Sequence, residues 1–270
     1  MTRKDIITAI KGKGYNVEAM DVTKNNVKMQ GVRFLPKKTV APVVYVDRII
    51  EQANKTGKTV EEVADEIITV YEAQKAVSLQ DNISPDYIME RVRIGLQRKT
   101  GENIIKRACD LDRNIEQYLY VTVTMTDAGC GSFKLNQALV DSLGMDAAEI
   151  WKAAENHTFA NLTIENMAHM LGITDTDDEG EEIMPLYVIS NTEHYRGAAC
   201  ALDKAALEKF AKDHHTKQVI LIPASVHEMI IIPQTENIDI DDMTAMVQAV
   251  NGSEVDPVEQ LADKAYIINF

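Results

Sequence analysis

Four apolar runs in the second half of the chain, at 186–190, 197–201, 219–222 and 229–232, are each four or five residues long and stop at polar or turn-forming residues. Segments this short make poor helices, whereas a strand of that length is an ordinary sheet element. A buried strand must find backbone partners, so these runs are expected to share one sheet, with 266–270 as a last strand. An all-helical fold is thereby excluded.

The first half mixes both periodicities. A helix at 5–11 is stopped by Gly12 and Gly14, and alternating segments at 17–22 and 27–35 flank Asn25-Asn26, a hairpin signal because Asn tolerates positive φ. Residues 41–46 read as a third strand. Thr59-Val60-Glu61-Glu62 is a capping box, and Val60, Val63, Ala64, Ile67, Ile68 and Tyr71 recur at helical spacing behind it. Ser84-Pro85 opens a further helix that either continues through 91–97 or gives way there to a strand.

In 117–126, Leu119, Val121, Val123 and Met125 alternate with Tyr120, Thr122, Thr124 and Thr126, the pattern of a half-buried strand. Gly129-Cys130-Gly131-Ser132 reads as a turn, followed by a short strand and two helices, the second capped by Asp146. Asp203 caps a helix after 197–201, and a helix at 241–250 turns Met243, Met246, Val247 and Val250 inward. The expected fold is α+β, with two lobes, each a mainly antiparallel sheet covered by helices. Residues 1–113 form an N-terminal lobe and 114–270 an acidic C-terminal lobe, the boundary falling near 112–116.

A 45% hydrophobic and 26% charged composition supports a core without metal or disulfide help. Cys109, Cys130 and Cys200 lack CxxC spacing and are expected as free thiols, so no metal and no cofactor is expected. No run approaches the roughly 18 apolar residues of a membrane helix, and MTRKDIITAIKGKG turns polar too early for a signal peptide; a cytoplasmic location and no membrane partner follow as expectations. The net charge of -14 is uneven. Residues 1–150 carry 21 basic and 21 acidic groups, residues 151–270 only 7 basic against 21 acidic. An acidic half repels phosphate backbones, so a basic protein, not nucleic acid, is the expected partner; solubility alone is the plainer alternative.

Chemistry is sought first in Pro223-Ala224-Ser225-Val226-His227-Glu228, a polar turn between two apolar strands. Ser225, His227 and Glu228, with Asn191 or His194 from a neighbouring strand end, are the candidate catalytic residues of a hydrolase or ligand-binding enzyme. Sequence neighbours splay apart and seldom form a triad, so the plainer reading is that Ser225 caps a turn and the others bridge to backbone. His227-Glu228 begins like HExxH, but Ile231 stands where the second histidine belongs, which rejects a zinc protease. Residues 175–180 begin like a calcium loop and fail at its twelfth position, Leu186. Cys130 sits in a glycine-flanked turn with no assigned base. His214 and His215 at a helix end answer the helix dipole. Arg91, Arg93, Arg98, Lys99, Lys106 and Arg107 form a basic stretch with interleaved acids, read as a solvated face or as an internal partner for the acidic half.

Tyr187-Val188-Ile189-Ser190-Asn191, Gly197-Ala198-Ala199-Cys200, the turn from Ile222 to Glu228, and Leu261-Ala262-Asp263-Lys264-Ala265-Tyr266 stand in an order and spacing that resembles an uncharacterised family of gut Gram-positive bacteria. It is catalogued as a domain of unknown function, number fifty-six eighty-eight in its series. The resemblance spans nearly the whole chain and implies a bacterial cytosolic protein, with no activity to carry over. Ala224 and Ala262 stand where that family usually has serine, which speaks against serine chemistry there. The function expected is a non-enzymatic binding or regulatory protein with an acidic interaction surface; the alternatives are the hydrolase above and an inhibitor that mimics nucleic acid.

Overall fold

The computed structural model describes residues 1–35, 43–75, 83–126, 129–173, 185–234 and 238–270. Helix α1 (Arg3–Gly12) starts from a capping box in which the Thr2 hydroxyl accepts from the Asp5 amide and the Asp5 carboxylate accepts from the Thr2 amide. Strands β1 (Val17–Lys24) and β2 (Val27–Phe34) pair in one antiparallel register from Val17↔Phe34 to Lys24↔Val27. Asn25 and Asn26 turn the hairpin with φ of 49° and 66°, the left-handed pair such a turn needs. Strand β3 (Val43–Tyr45) joins β2.

Helix α2 (Asp47–Thr56) follows, ended by Gly57 in the left-handed region at φ 72°. It has no counterpart in the expected elements, because only Ala53 of its residues is fully buried and its apolar stripe is short. Helix α3 (Val60–Lys75) matches expectation, with the Thr59 hydroxyl accepting from the Glu62 amide and Glu62 accepting from Thr59. Val63, Ala64, Ile67 and Tyr71 bury one face of it against Ile6, Ile10, Val32 and Phe34.

Ser84 caps α4 (Pro85–Arg91), and the chain then switches to β4 (Val92–Arg98), which settles the ambiguity at 91–97. Strands β5 (Lys106–Ala108), β6 (Ile115–Thr126) and β7 (Gly129–Lys134) complete a sheet in which β6 lies between β4 and β5 and also pairs with β7. The sheet thus takes strands from both sides of the 113/114 division. Gly129 to Ser132 is strand, not turn, and Cys130 stands in it; its side chain and residues 175–180 fall outside what the structure describes.

The chain continues through α5 (Gln137–Ser142), α6 (Ala147–Ala160, capped by Asp146), β8 (Leu162–Asn166) and α7 (Met167–Leu171). Then come β9 (Tyr187–Asn191), a 3-10 helix (Gly197–Leu202), α8 (Lys204–Asp213, capped by Asp203), β10 (Gln218–Pro223), β11 (Met229–Pro233), α9 (Ile240–Ser253) and β12 (Tyr266–Asn269). The expected shared sheet exists, in the order β12-β10-β11-β9-β8, antiparallel throughout. The 197–201 run corrects one expectation: its small side chains allow a tight 3-10 turn buried from Gly197 to Ala201, which apolar character alone could not distinguish from a strand.

The chain forms two compact units, one of Met1–Ile88 with Thr122–Phe133 and one of Met89–Val121 with Lys134–Phe270. Among the described residues no helix is long and apolar enough to cross a membrane. The fold is α+β, with antiparallel sheets covered by helices.

Candidate functional site

The 225–228 turn joins β10 to β11, and its polar groups are satisfied mainly through backbone. The Ser225 amide donates to the Glu228 carbonyl (3.1 Å), and the Ser225 hydroxyl accepts from the His227 amide (3.0 Å). The Val226 amide donates to the Glu259 carbonyl, and the Ser190 hydroxyl donates to the His227 carbonyl (2.8 Å). Asn191 is buried and clamps its own loop, accepting from the Tyr195 amide and donating to the Tyr195 carbonyl. His227 Nδ1 accepts from the Arg196 amide at 3.1 Å, so that nitrogen carries no proton, and Nε2 faces Glu259 at 3.9 Å. Ser225 and His227 thus meet through backbone, and Asn191 is linked to His227 by way of Tyr195 and Arg196.

The Asn191-to-Gly197 loop is held tightly. His194 and Arg196 adopt φ of 49° and 54°, a conformation uncommon for side chains other than Asn, Asp or Gly. A Cβ on Gly197 would collide with the Ser190 hydroxyl oxygen and sit 2.6 Å from the Asn191 amide nitrogen and 2.8 Å from the His227 carbonyl oxygen. Only glycine allows this loop to close on the 225–228 turn.

The richest polar cluster lies on one face of the β4-β6-β5 sheet. Cross-strand register places Arg93 opposite Tyr120, Gly95 opposite Tyr118, Gln97 opposite Glu116 and Lys106 opposite Tyr118. The alternation in 117–126 suggested solvent on that face; instead every β6 residue from Ile115 to Val121 is buried. A Cβ on Gly95 would lie 2.5 Å from the Tyr118 ring, so the ring packs flat where only glycine leaves room.

Glu116 accepts from Gln97 (2.8 Å), from the Thr100 hydroxyl (2.8 Å) and from Lys106, while Lys134 donates to Glu102 and to Gln97. Burial pushes the Glu116 carboxyl up, but the hydrogen bonds from Gln97, Thr100 and Lys106 outweigh it and hold the carboxyl below its ordinary value. Burial pulls Lys134 down despite Glu102. Above this face Arg196 Nε donates to the Tyr195 hydroxyl (3.0 Å) and Nη1 to the Tyr118 hydroxyl. The guanidinium lies 5.6, 5.4 and 5.1 Å from the ring centres of Tyr118, Tyr120 and Tyr195.

The other candidates in the chain resolve into structural roles. Burial pushes the Cys200 thiol up to about 12 and raises Cys109 as well, which keeps both protonated and unreactive. His214 packs edge-on to Tyr187 and against Phe210, and its pKa is lowered, chiefly by burial, so it is a packing residue and not a cation at the helix end. In the basic stretch, Arg93 pairs with Glu193, Arg98 with Asp263 and Arg107 with Glu155. It therefore serves partly as an internal partner for acids of the second half.

Helix α9 presents a second feature. Val247 and Asn251 are its buried side, with Val247 packed against Ile220, Ile222 and Ile232. Met246 and Val250, expected to point inward, are instead 41% and 42% exposed, one turn apart, with Ala245 and Ala249 exposed beside them. The helical period places four apolar residues on this side, and all four are exposed. Asp239, Asp241, Asp242 and Glu254 are exposed at its ends, and 218–263 contains nine acidic residues and no Lys or Arg.

Sequence reasoning missed Tyr118, Lys134 and Arg196. The usable signal was the side of 116–120 on which Glu116, Tyr118 and Tyr120 recur at every second position of a strand flanked by others. No curated protein and no solved structure matches this chain. The family of unknown function DUF5688 matches it over residues 2–269, and the chain belongs to that family.

Proposed function

We propose that the chain is a non-enzymatic binding protein of the bacterial cytoplasm, and that the exposed side of α9 is its docking surface for a basic protein segment. The observation that carries this reading is Met246 and Val250 exposed one turn apart on a helix with Asp239, Asp241, Asp242 and Glu254 exposed at its ends, in a stretch of sequence, 218–263, that holds nine acids and no Lys or Arg. An apolar centre with a rim of one charge is the anatomy of a recognition surface. The fitting partner carries Lys and Arg beside apolar side chains at helical spacing, because the rim then attracts and the centre excludes water. Ser225 and Asn191 support it indirectly, since their hydrogen bonds to the His227 and Tyr195 backbone make them parts of the scaffold.

The test uses a synthetic amphipathic peptide of lysine and leucine, titrated into the full chain at two salt concentrations. Saturable binding that weakens with salt is expected. The double variant Met246→Ser, Val250→Ser keeps every charge and should weaken binding about tenfold, roughly 1.4 kcal/mol. Equal affinity in that variant would show unspecific charge attraction and sink the proposal.

A further inference from the structure

We propose that Arg196, with Tyr118, Tyr120 and Tyr195 around it, is a binding site for the oxyanion of a small organic molecule, a carboxylate or a phosphate monoester. Neighbouring cations on the sheet face have carboxylate partners: Arg93 pairs with Glu193, Lys134 with Glu102 and Lys106 with Glu116. Arg196 has none among the described residues. Its protein partners are the Tyr195 and Tyr118 hydroxyls for the side chain and His227 Nδ1 for the amide. Of the five guanidinium N–H groups two are therefore engaged, and the remaining three, on Nη1 and Nη2, form the fork that matches a carboxylate or phosphate edge.

Packing against rings does not account for this placement. A cation–π contact contributes about 0.5–2 kcal/mol, and the half-buried guanidinium still lacks the opposite charge that its neighbours on this face have. Tyr118 holds the fork in place from beneath. It is fully buried and its hydroxyl accepts from Arg196, while its own proton meets no acceptor among the described residues. An oxyanion on the guanidinium fork would supply the missing opposite charge, and the half-buried Tyr195 ring gives the organic body of the ligand an apolar wall, while the fully buried Tyr118 and Tyr120 hold the guanidinium from beneath. The geometry is fixed in advance, since the Arg196 backbone is anchored through its amide to His227 and the next residue, Gly197, fits against Ser190 with no room for a side chain.

The site shares no residue with α9, so the two proposals stand or fall separately. Calorimetric titration of the full chain with phenyl phosphate and with benzoate, at constant ionic strength set by chloride, reads the site directly. Saturable one-to-one binding of at least one probe is expected, the better probe naming the phosphate or carboxylate source. Tyr118→Phe keeps the ring and should bind about tenfold more weakly, and Arg196→Lys keeps the charge without the fork and should do the same. Arg196→Met should abolish binding while remaining folded, with thermal melting in chloride as the check on folding and a somewhat lower midpoint expected because the Tyr118 hydroxyl loses its partner. No saturable binding of either probe, or wild-type affinity in folded Arg196→Lys and Tyr118→Phe, would overturn the proposal.

Discussion

Phe34 and Tyr118 are both aromatic residues buried on strands, and they keep opposite company. Phe34 stacks on Tyr71 with ring centres 3.9 Å apart, meets Tyr15 edge-on, and is otherwise enclosed by the Ile and Val side chains of α1, β2 and α3. Tyr118 lies over Gly95, beneath Arg196 and 4.7 Å from the Lys134 ammonium, amid a lattice of carboxylates and amides. The first environment is held by area removed from water, which tolerates small shifts. The second is held by directed hydrogen bonds between charged groups, which stabilise only when every partner is present. A fold can use the first kind of interior for cohesion and reserve the second for recognition.

The comparison can be broken by mutation. Phe34→Ala should lose about 3–5 kcal/mol in urea unfolding, the cost of an aromatic cavity in an apolar core. A loss under 1 kcal/mol would show that this core is not packed as described. Glu116→Ala should cost on the order of 3 kcal/mol although it deletes little apolar area, because Lys106, Thr100 and Gln97 lose their common acceptor. Were Glu116→Leu as damaging as Glu116→Ala, hydrogen bonding and not cavity formation would be the cause in both.

Acid sharpens the contrast. Burial raises the Asp112 carboxyl, but hydrogen bonds from Asn114, Lys264 and Tyr266 outweigh it, and the net shift, like that of Glu116, is downward. Both groups ionise more readily in the folded chain than at their ordinary values of 3.8 and 4.5, so their stabilisation is complete above those values and declines as pH falls through the folded pKa. The urea midpoint should drop below about pH 4.5, and Asp112→Asn should drop less steeply. Parallel curves would deny the Asp112 contribution. Smallest in this series, Thr59→Ala should cost about 1 kcal/mol by removing the α3 cap, and it should leave anion binding at Arg196 unchanged.

The apolar regions were legible in the sequence because periodicity reports them directly. The Asn25-Asn26 hairpin, the Thr59 capping box and the strands β9, β10 and β11 fall where pattern and turn chemistry put them. The polar cluster was not legible. Tyr120 and Thr122 on the polar side of β6 look like a solvated face, and nothing local says that Arg196, far along the chain, lies against the Tyr118 and Tyr120 rings. Met246 and Val250 failed for the opposite reason: helical spacing identifies an apolar side without saying whether anything covers it. Ser225 and His227 were conspicuous as a motif, yet a hydrogen bond between the hydroxyl and the next backbone amide but one is what a tight turn supplies.

The central claim, that α9 is a docking surface for a basic segment, is tested most directly by hydrogen–deuterium exchange of the full chain with and without the lysine–leucine peptide. The account predicts slowed exchange in α9, strongest around Met246 to Val250, and no such slowing in the Met246→Ser, Val250→Ser variant. Protection spread over other acidic segments, with α9 unchanged, would contradict it.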